Sequence, residues 1–146
     1  MTFKHWDTYP LPAIRAEKHF DNRLVNCFAE RALSLDMLFE DACQQFPERE
    51  ALIEGDHRIS YQHLRRLVIR AATAFKQIGI QAGDRVVMQI ANRIEFVVVM
   101  LALQRIAAIA VPVSIREQAP GVLFILNQCG AKAVLVDDSL SELIKT

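Results

Sequence analysis

The sequence has neither of the two glycine-rich motifs that commonly hold nucleotide phosphates. A dinucleotide-binding loop has the spacing GxGxxG and a P-loop has GxxxxGK[ST], because backbone amides must approach the phosphates closely. Neither spacing occurs here, since the glycines are widely separated: Gly55, Gly79, Gly83, Gly121 and Gly130. The sequence therefore predicts no Rossmann or P-loop nucleotide site.

Metal-binding and disulfide patterns are also missing. The histidines form no HxxH or HExxH set, and the three cysteines, Cys27, Cys43 and Cys129, include no CxxC pair. An odd number of cysteines, two of them in apolar stretches, is typical of reduced thiols in an intracellular protein. We therefore predict a cytoplasmic protein and assign neither a catalytic residue nor a metal ligand.

The sequence has no excess of one charge and no clean membrane-spanning segment. Seventeen acidic residues balance seventeen basic ones, so no net field attracts nucleic acid or an anionic membrane. The longest apolar run, residues 96–113, contains Arg105 and Pro112, which favours a buried helix and strand over a membrane span. The first residues lack the apolar centre of a secretory signal. We expect a soluble chain with no nucleic-acid partner.

Recognisable secondary-structure patterns begin after residue 33. Residues 1–33 show little periodicity and are predicted to form an irregular N-terminal arm. Ser34 and Ser60 each precede apolar residues at helical spacing, so each is predicted to cap a helix, and Gly79 is placed to close the second helix. Gly55 predicts the turn of a hairpin between two short strands.

Strands and helices then alternate along the chain. Strands are predicted at 85–90, 109–113 and 133–136, and helices at 92–106, capped by Asn92, and at 120–128. Apolar strands joined by helices are typical of a parallel sheet covered on both faces. We therefore predict an α/β fold, layered α/β/α, with a mainly parallel sheet. A capping-box pattern at residues 139–142 predicts one more helix.

Several short blocks occur in a fixed order between Ser34 and Asp138. They are ALIEGD at 51–56, ISYQHL at 59–64, Gly79-Ile80 with Gly83 to Val86, Asn92 with Glu95-Phe96, Leu103 to Val113, and Gly130 to Ala133. In order and spacing they resemble the adenylate-forming superfamily, which includes acyl- and aryl-CoA ligases, peptide-synthetase adenylation domains and luciferases. The chain departs from the family at Ala107, where a glycine is usual, and at residues 114–116.

The resemblance implies that residues 34–146 are an N-terminal fragment of an AMP-dependent synthetase/ligase domain, a truncated subdomain. The family uses ATP and magnesium to convert a carboxylic acid into an acyl-adenylate, and its ligases then transfer the acyl group to coenzyme A (CoA). The family's phosphate loop and catalytic lysine have no counterpart in this chain. We therefore expect ATP, Mg and CoA to serve the intact ligase, none to bind this fragment, and the isolated chain to be inactive.

Two groups of residues follow predicted strands, where parallel sheets commonly bind ligands. Asn92 and Arg93 are candidates for the CoA side of the intact enzyme, with Arg93 contacting a phosphate. An exposed arginine in the first turn of a helix is the alternative. Asp137 and Asp138 could share a cation, although such pairs more often form a solvated turn.

Two other functions stay open. The chain could be a non-catalytic α/β interaction module that binds a partner, or itself, through an exposed sheet edge. It could also be a small flavodoxin-like nucleotide binder, which ATP or FMN would then stabilise against unfolding.

Overall fold

The structure is a computed structural model that describes residues 12–140. The chain divides into two compact units, residues 1–33 and residues 34–146. The described part of the smaller unit contains a two-stranded hairpin, and the larger unit contains a second hairpin and a three-stranded parallel sheet.

A β-hairpin occupies much of the smaller unit. Strand β1 (Ile14–His19) pairs antiparallel with β2 (Arg23–Phe28), and the connecting residues 20–22 all have positive φ. The predicted irregular arm is therefore wrong for residues 14–28. Both strands stay largely exposed. Apolar and polar residues alternate over only four residues, 14–17, which is the shortest run that predicts a half-buried strand, and β2 mixes the two types on both faces.

The larger unit begins with α1 (Leu35–Gln45), β3 (Glu50–Glu54), β4 (His57–Ser60) and α2 (Tyr61–Gln77). Both predicted caps are confirmed, because the hydroxyls of Ser34 and Ser60 accept hydrogen bonds from the backbone N–H three residues later, at 3.1 and 3.3 Å. Gly79 has a φ of 89° directly after the C-cap of α2, as predicted. Ile78 is the C-cap residue of α2 and is 68% exposed.

The parallel sheet follows, with β5 (Arg85–Gln89), α3 (Ile94–Arg105), β6 (Ile109–Pro112), α4 (Ala119–Cys129) and β7 (Ala133–Val136). The strands lie in the order β6-β5-β7, so β5 is central. Crossovers between parallel strands are right-handed, and the chain moves first to one side of β5 and then to the other. The rule therefore places α3 and α4 on opposite faces. The predicted α/β fold with a parallel sheet is confirmed.

The core of the larger unit lies between the sheet and helices α1, α2 and α3. Val68 of α2, Met88 of β5 and Leu103 of α3 are completely buried in one cluster. Helix α4 is different, because Leu123 and Phe124 are 59% and 66% exposed. The unit therefore has one well-packed face and one helix with an uncovered apolar surface.

The apolar run at 96–113 forms α3 and then β6, and its single charge makes ion pairs at the helix surface. Arg105 contacts Asp36 at 3.1 Å and also contacts Glu40, which accepts a second hydrogen bond from Arg65 of α2 at 2.7 Å. Burial raises the pKa of Glu40, but the two guanidinium groups together bring it below its ordinary value. The pairs join three helices. In the described part of the chain, no helix is long and apolar enough to cross a membrane.

Ala107 lies in the left-handed region, with a φ of 56°, in the turn between α3 and β6. A side chain there costs about 1–2 kcal/mol, and the methyl group is exposed, so removing it leaves no cavity. We predict that Ala107→Gly raises the free energy of unfolding by about 0.5–1 kcal/mol in urea denaturation, after the entropy of glycine in the unfolded chain is subtracted. The buried Ala108, which is not left-handed, is the control: Ala108→Gly should destabilise. A less stable Ala107→Gly chain would contradict the prediction.

Candidate functional site

The carboxyl edge of the parallel sheet brings the two predicted groups together. Arg93 follows β5 and Asp137 follows β7, and Nη1 of Arg93 lies 3.5 Å from Oδ2 of Asp137. These residues line an open cavity of about 210 Å³ together with Ile90, Glu95, Val136 and Asp138. Pockets for small molecules usually have about 300–1,000 Å³. The cavity is therefore too small to enclose a nucleotide by itself.

A second open cavity lies on the other side of Arg93. It has about 380 Å³ and is formed by the β3–β4 hairpin and the start of α3, including both predicted CoA-side residues, Asn92 and Arg93. The first residues of a helix have N–H groups without a partner inside the helix. A hydrogen-bond acceptor can therefore bind in this cavity, at the start of α3. Arg93 lines both cavities.

The charge around Arg93 is negative. Its Nε lies 3.4 Å from Glu95 and 3.7 Å from Glu54, and Asp137 is the third carboxylate. The carboxylates of Glu95 and Asp137 raise the pKa of Arg93 above its ordinary value. Three carboxylates around one guanidinium leave a net negative environment, which opposes an approaching phosphate. The contacts of Arg93 in this structure tie together β3, α3 and β7.

Helix α3 begins with a cap that differs from the predicted one. Arg93, and not Asn92, is the N-cap residue, and it makes no side-chain cap hydrogen bond. Instead the carboxylate of Glu54, at the end of β3, accepts a hydrogen bond from the N–H of Ile94 at 2.7 Å. A carboxylate at this position also interacts favourably with the helix dipole. The predicted cap at Asn92 is wrong because the cap comes from a residue distant in sequence.

Asp137 is held inside its own turn. Its Oδ1 accepts hydrogen bonds from the hydroxyl of Ser139 at 2.8 Å and from its N–H at 3.2 Å. These hydrogen bonds, the hydroxyl first, lower the pKa of Asp137. Since Arg93 contacts the other oxygen, the turn arrangement describes Asp137 better than a cation site shared with Asp138. Of the predicted capping box at 139–142, residues 141 and 142 and the helix after them lie outside the described residues.

Gln89 is a further polar side chain at this edge. It is completely buried at the end of β5, and its Nε2 donates to the carbonyl oxygens of Ser114 and Glu117 at 3.2 and 2.9 Å. It thereby holds the loop between β6 and α4 against the central strand. Its Oε1 is buried and has no partner among the described residues.

The residues at this edge arrange the backbone and contain no reacting pair. Arg93, Glu54, Asp137 and Gln89 each hold a turn, a helix end or a loop in place. Sequence reasoning found Arg93 and Asp137 but missed Glu54 and Gln89. Glu54 and Gln89 each end a strand, and this position was the one feature of the sequence that could have identified them. Their contacts could not be predicted because they depend on tertiary structure.

Comparison with known proteins gives consistent matches. The family described as AMP-binding enzyme matches residues 39–146. The chain is 35% identical over 91 residues to the long-chain-fatty-acid–CoA ligase FadD13 of Mycobacterium tuberculosis, covering 61% of this chain and 18% of the ligase. It is 32% identical over 111 residues to tyrocidine synthase 1 of Brevibacillus parabrevis, covering 76% of this chain and 10% of the synthase.

The fold also matches a solved structure. The N-terminal domain of FACL13 from Mycobacterium tuberculosis aligns with a TM-score of 0.74 and 29% identity, covering 77% of this chain and 29% of that one. The chain therefore spans less than a third of that domain, and less than a fifth of the two relatives. The region that the family matches, residues 39–146, contains the parallel sheet and the site residues at its edge.

Proposed function

The chain belongs to the AMP-binding enzyme family, and from this premise we propose that it forms the N-terminal part of an ATP-dependent carboxylate–CoA ligase. The observation that carries the proposal is the continuous family match over residues 39–146, which contain the whole parallel sheet. The relative that is named a CoA ligase, 35% identical over 91 residues, supports CoA as the proposed acceptor. Free thiols at Cys27, Cys43 and Cys129 support a cytoplasmic location.

The proposed reaction has two steps. A carboxylate oxygen of the acid attacks the α-phosphorus of ATP, which forms an acyl-adenylate and releases pyrophosphate. The thiol of CoA then attacks the acyl carbon, and AMP leaves. Mg²⁺ would serve by neutralising phosphate charge in the first step. The acid, ATP, Mg²⁺ and CoA are thus the proposed ligands of the whole enzyme.

The contribution of this chain to that enzyme is structural. Its described residues at the sheet edge hold the start of α3, the turn after β7 and the β6–α4 loop. These described residues offer no phosphate loop, and the guanidinium of Arg93 is already surrounded by carboxylates. We infer that the 146-residue chain alone does not form an adenylate.

The product of the reaction tests the ligase assignment. The protein made from the complete reading frame is incubated with ATP, Mg²⁺ and a panel of fatty, aromatic and amino acids, with either CoA or a carrier-protein thiol as acceptor. We expect an acyl-CoA, identified by mass spectrometry. Transfer only to the carrier-protein thiol would instead identify a peptide-synthetase type of enzyme.

The CoA-side role of Asn92 and Arg93 stays a prediction, and the same assay tests it. If Arg93 contacts a CoA phosphate, Arg93→Ala raises the KM for CoA by about tenfold, the loss of roughly one charge-assisted hydrogen bond. The acidic surroundings of Arg93 favour the other result, an unchanged KM with reduced thermal stability. Lys132→Ala, an exposed cation elsewhere on the sheet, is the control.

A non-catalytic interaction module is the second candidate. Leu123 and Phe124 on α4 are exposed, and β6 and β7 are both outer strands of the described sheet. Such surfaces can bind a partner or a second copy. Concentration-dependent dimerisation, with no acyl transfer by the complete protein, would favour this function. Family membership leaves the flavodoxin-like alternative without support.

A further inference from the structure

One face of the β1–β2 hairpin brings three side chains of metal-binding type together. Successive residues of a strand point to opposite faces, so Glu17 and His19 share a face, and the strand register places Cys27 on the same face. Sγ of Cys27 lies 3.7 Å from Nε2 of His19, and Oε2 of Glu17 lies 3.1 Å from the same nitrogen. One donor atom from each residue lies within 4.8 Å of the other two.

Both contacts share one ring nitrogen of His19 and do not form a proton relay. In a catalytic triad, the carboxylate binds one ring nitrogen of the histidine and the nucleophile binds the other. Here Nε2 of His19 faces both Cys27 and Glu17. One ring nitrogen carries either a proton or a lone pair, so it cannot accept from the thiol and donate to the carboxylate at once. A cation between the three donor atoms satisfies all of them together.

We propose that Glu17, His19 and Cys27 bind one divalent transition-metal cation of the zinc type. Zinc bonds of about 2.0–2.3 Å at tetrahedral angles give donor separations of about 3.3–3.6 Å, close to the observed 3.1 and 3.7 Å. Thiolate and imidazole donors select zinc over magnesium, which takes oxygen ligands. Three protein ligands leave a fourth position for water, and the site is independent of the ATP-dependent reaction proposed above.

Two arginines hold the carboxylate in place. Oε1 of Glu17 accepts hydrogen bonds from Arg15 at 2.6 Å and Arg31 at 2.9 Å, and Arg31 also donates to Oε2 at 2.7 Å. Hydrogen bonds from residues that do not contact the metal themselves orient metal-bound carboxylates in this way. The two positive charges also repel a dication, so we expect weaker binding than at a four-ligand structural zinc site. The side chains of Glu17 and His19 are 20% and 37% exposed, which gives a cation access from solvent.

Cobalt(II) titration of the reduced 146-residue chain tests the proposal. Cobalt bound by a thiolate absorbs in the near ultraviolet by charge transfer, and tetrahedral cobalt has strong visible bands. We expect one cobalt per chain with both signals, displaced by zinc. Cys27→Ala should abolish the charge-transfer band. Changing a residue that only hydrogen-bonds a metal ligand typically weakens metal binding by roughly 10–100-fold, and His19→Ala should weaken cobalt binding by more than this.

Matched variants separate this site from other thiols and from misfolding. Cys129→Ala removes a thiol of the larger unit and should leave the cobalt spectrum and affinity unchanged. Far-ultraviolet circular dichroism of the whole chain, with the hairpin strands included, checks that each variant retains its secondary structure. A wild-type chain without the charge-transfer band overturns the proposal, and so does a band that persists in Cys27→Ala.

Discussion

Replacing Leu103 with alanine is expected to lower the free energy of unfolding by about 3 kcal/mol. Leu103 is completely buried in α3, at the centre of the cluster between the sheet and the helices. Its loss removes apolar contacts and leaves a cavity that the surrounding side chains fill only partly. The melting temperature of a chain of this size should fall by about 10 °C. Urea and thermal denaturation, followed by circular dichroism, measure both quantities.

Leu123 of α4 is the matched control for Leu103. It is the same residue type in another helix of the same unit, but it is 59% exposed, so Leu123→Ala should change the stability of this chain by less than about 1 kcal/mol. If the two substitutions destabilised the chain equally, the core would not lie where the structure places it. The proposed function adds that Leu123→Ala costs more in the complete protein, where further parts of the domain cover α4.

Replacing Glu40 with glutamine is expected to lower the free energy of unfolding by about 1–2 kcal/mol at neutral pH. The side chain of Glu40 is only 17% exposed and receives hydrogen bonds from Arg65 and Arg105, so it joins α1, α2 and α3. Removing its charge leaves Arg105 with Asp36 as its remaining carboxylate contact. This loss of stability is smaller than the loss expected for a fully buried ion pair, because water still reaches Glu40 and the two arginines.

The effect of Glu40 should depend on pH in one direction. Its pKa is lowered in the folded chain from an ordinary value of 4.5. A carboxyl group with a lowered folded-state pKa contributes its stability above the unfolded pKa and loses it as the pH falls through the folded pKa. The difference between wild type and Glu40→Gln should therefore shrink below pH 4.5.

An exposed acid near the same helix is the control for Glu40. Glu48→Gln, just after α1, should change the stability by less than about 0.5 kcal/mol at any pH. A Glu40→Gln chain as stable as the wild type at neutral pH would show that the three helices do not depend on these ion pairs. A difference that grows at low pH would contradict the direction of the pKa shift.

Local chemistry made much of the larger unit predictable from its sequence. Ser34 and Ser60 were identified as caps because a hydroxyl before an apolar helical pattern has few other roles. Gly79 was identified because a helix commonly ends in the left-handed conformation that glycine adopts freely. The central strand was identified by its apolar residues, which are buried on both faces. For the two caps and for Gly79, the decisive contacts lie within a few residues along the chain.

The errors occurred where the decisive contact is distant in sequence or where burial gives no signal. Asn92 was predicted to cap α3, but Glu54 accepts the hydrogen bond from a strand forty residues earlier. The β1–β2 hairpin was missed because the apolar alternation in its exposed strands is confined to residues 14–17. The group at Glu17, His19 and Cys27 was missed for the same reason, since its members come together only when the hairpin forms.

The backbone conformation of Ala107 explains one departure of this chain from the family pattern. The resemblance identified it as a position where glycine is usual, and the structure gives it a positive φ. Glycine adopts a positive φ freely, so the backbone conformation accounts for the glycine preference. The substitution is compatible with the family fold, at a small cost in stability that the proposed reversal to glycine measures.

Pyrophosphate exchange tests the central claim most directly, because it reports adenylate formation without any acceptor thiol. The 146-residue chain and the protein from the complete reading frame are each incubated with ATP, Mg²⁺, labelled pyrophosphate and the same panel of acids. We predict acid-dependent labelling of ATP by the complete protein and none above background by the chain. Acid-dependent exchange by the chain alone would contradict its structural role. No exchange by the complete protein with any acid would contradict the proposed ligase.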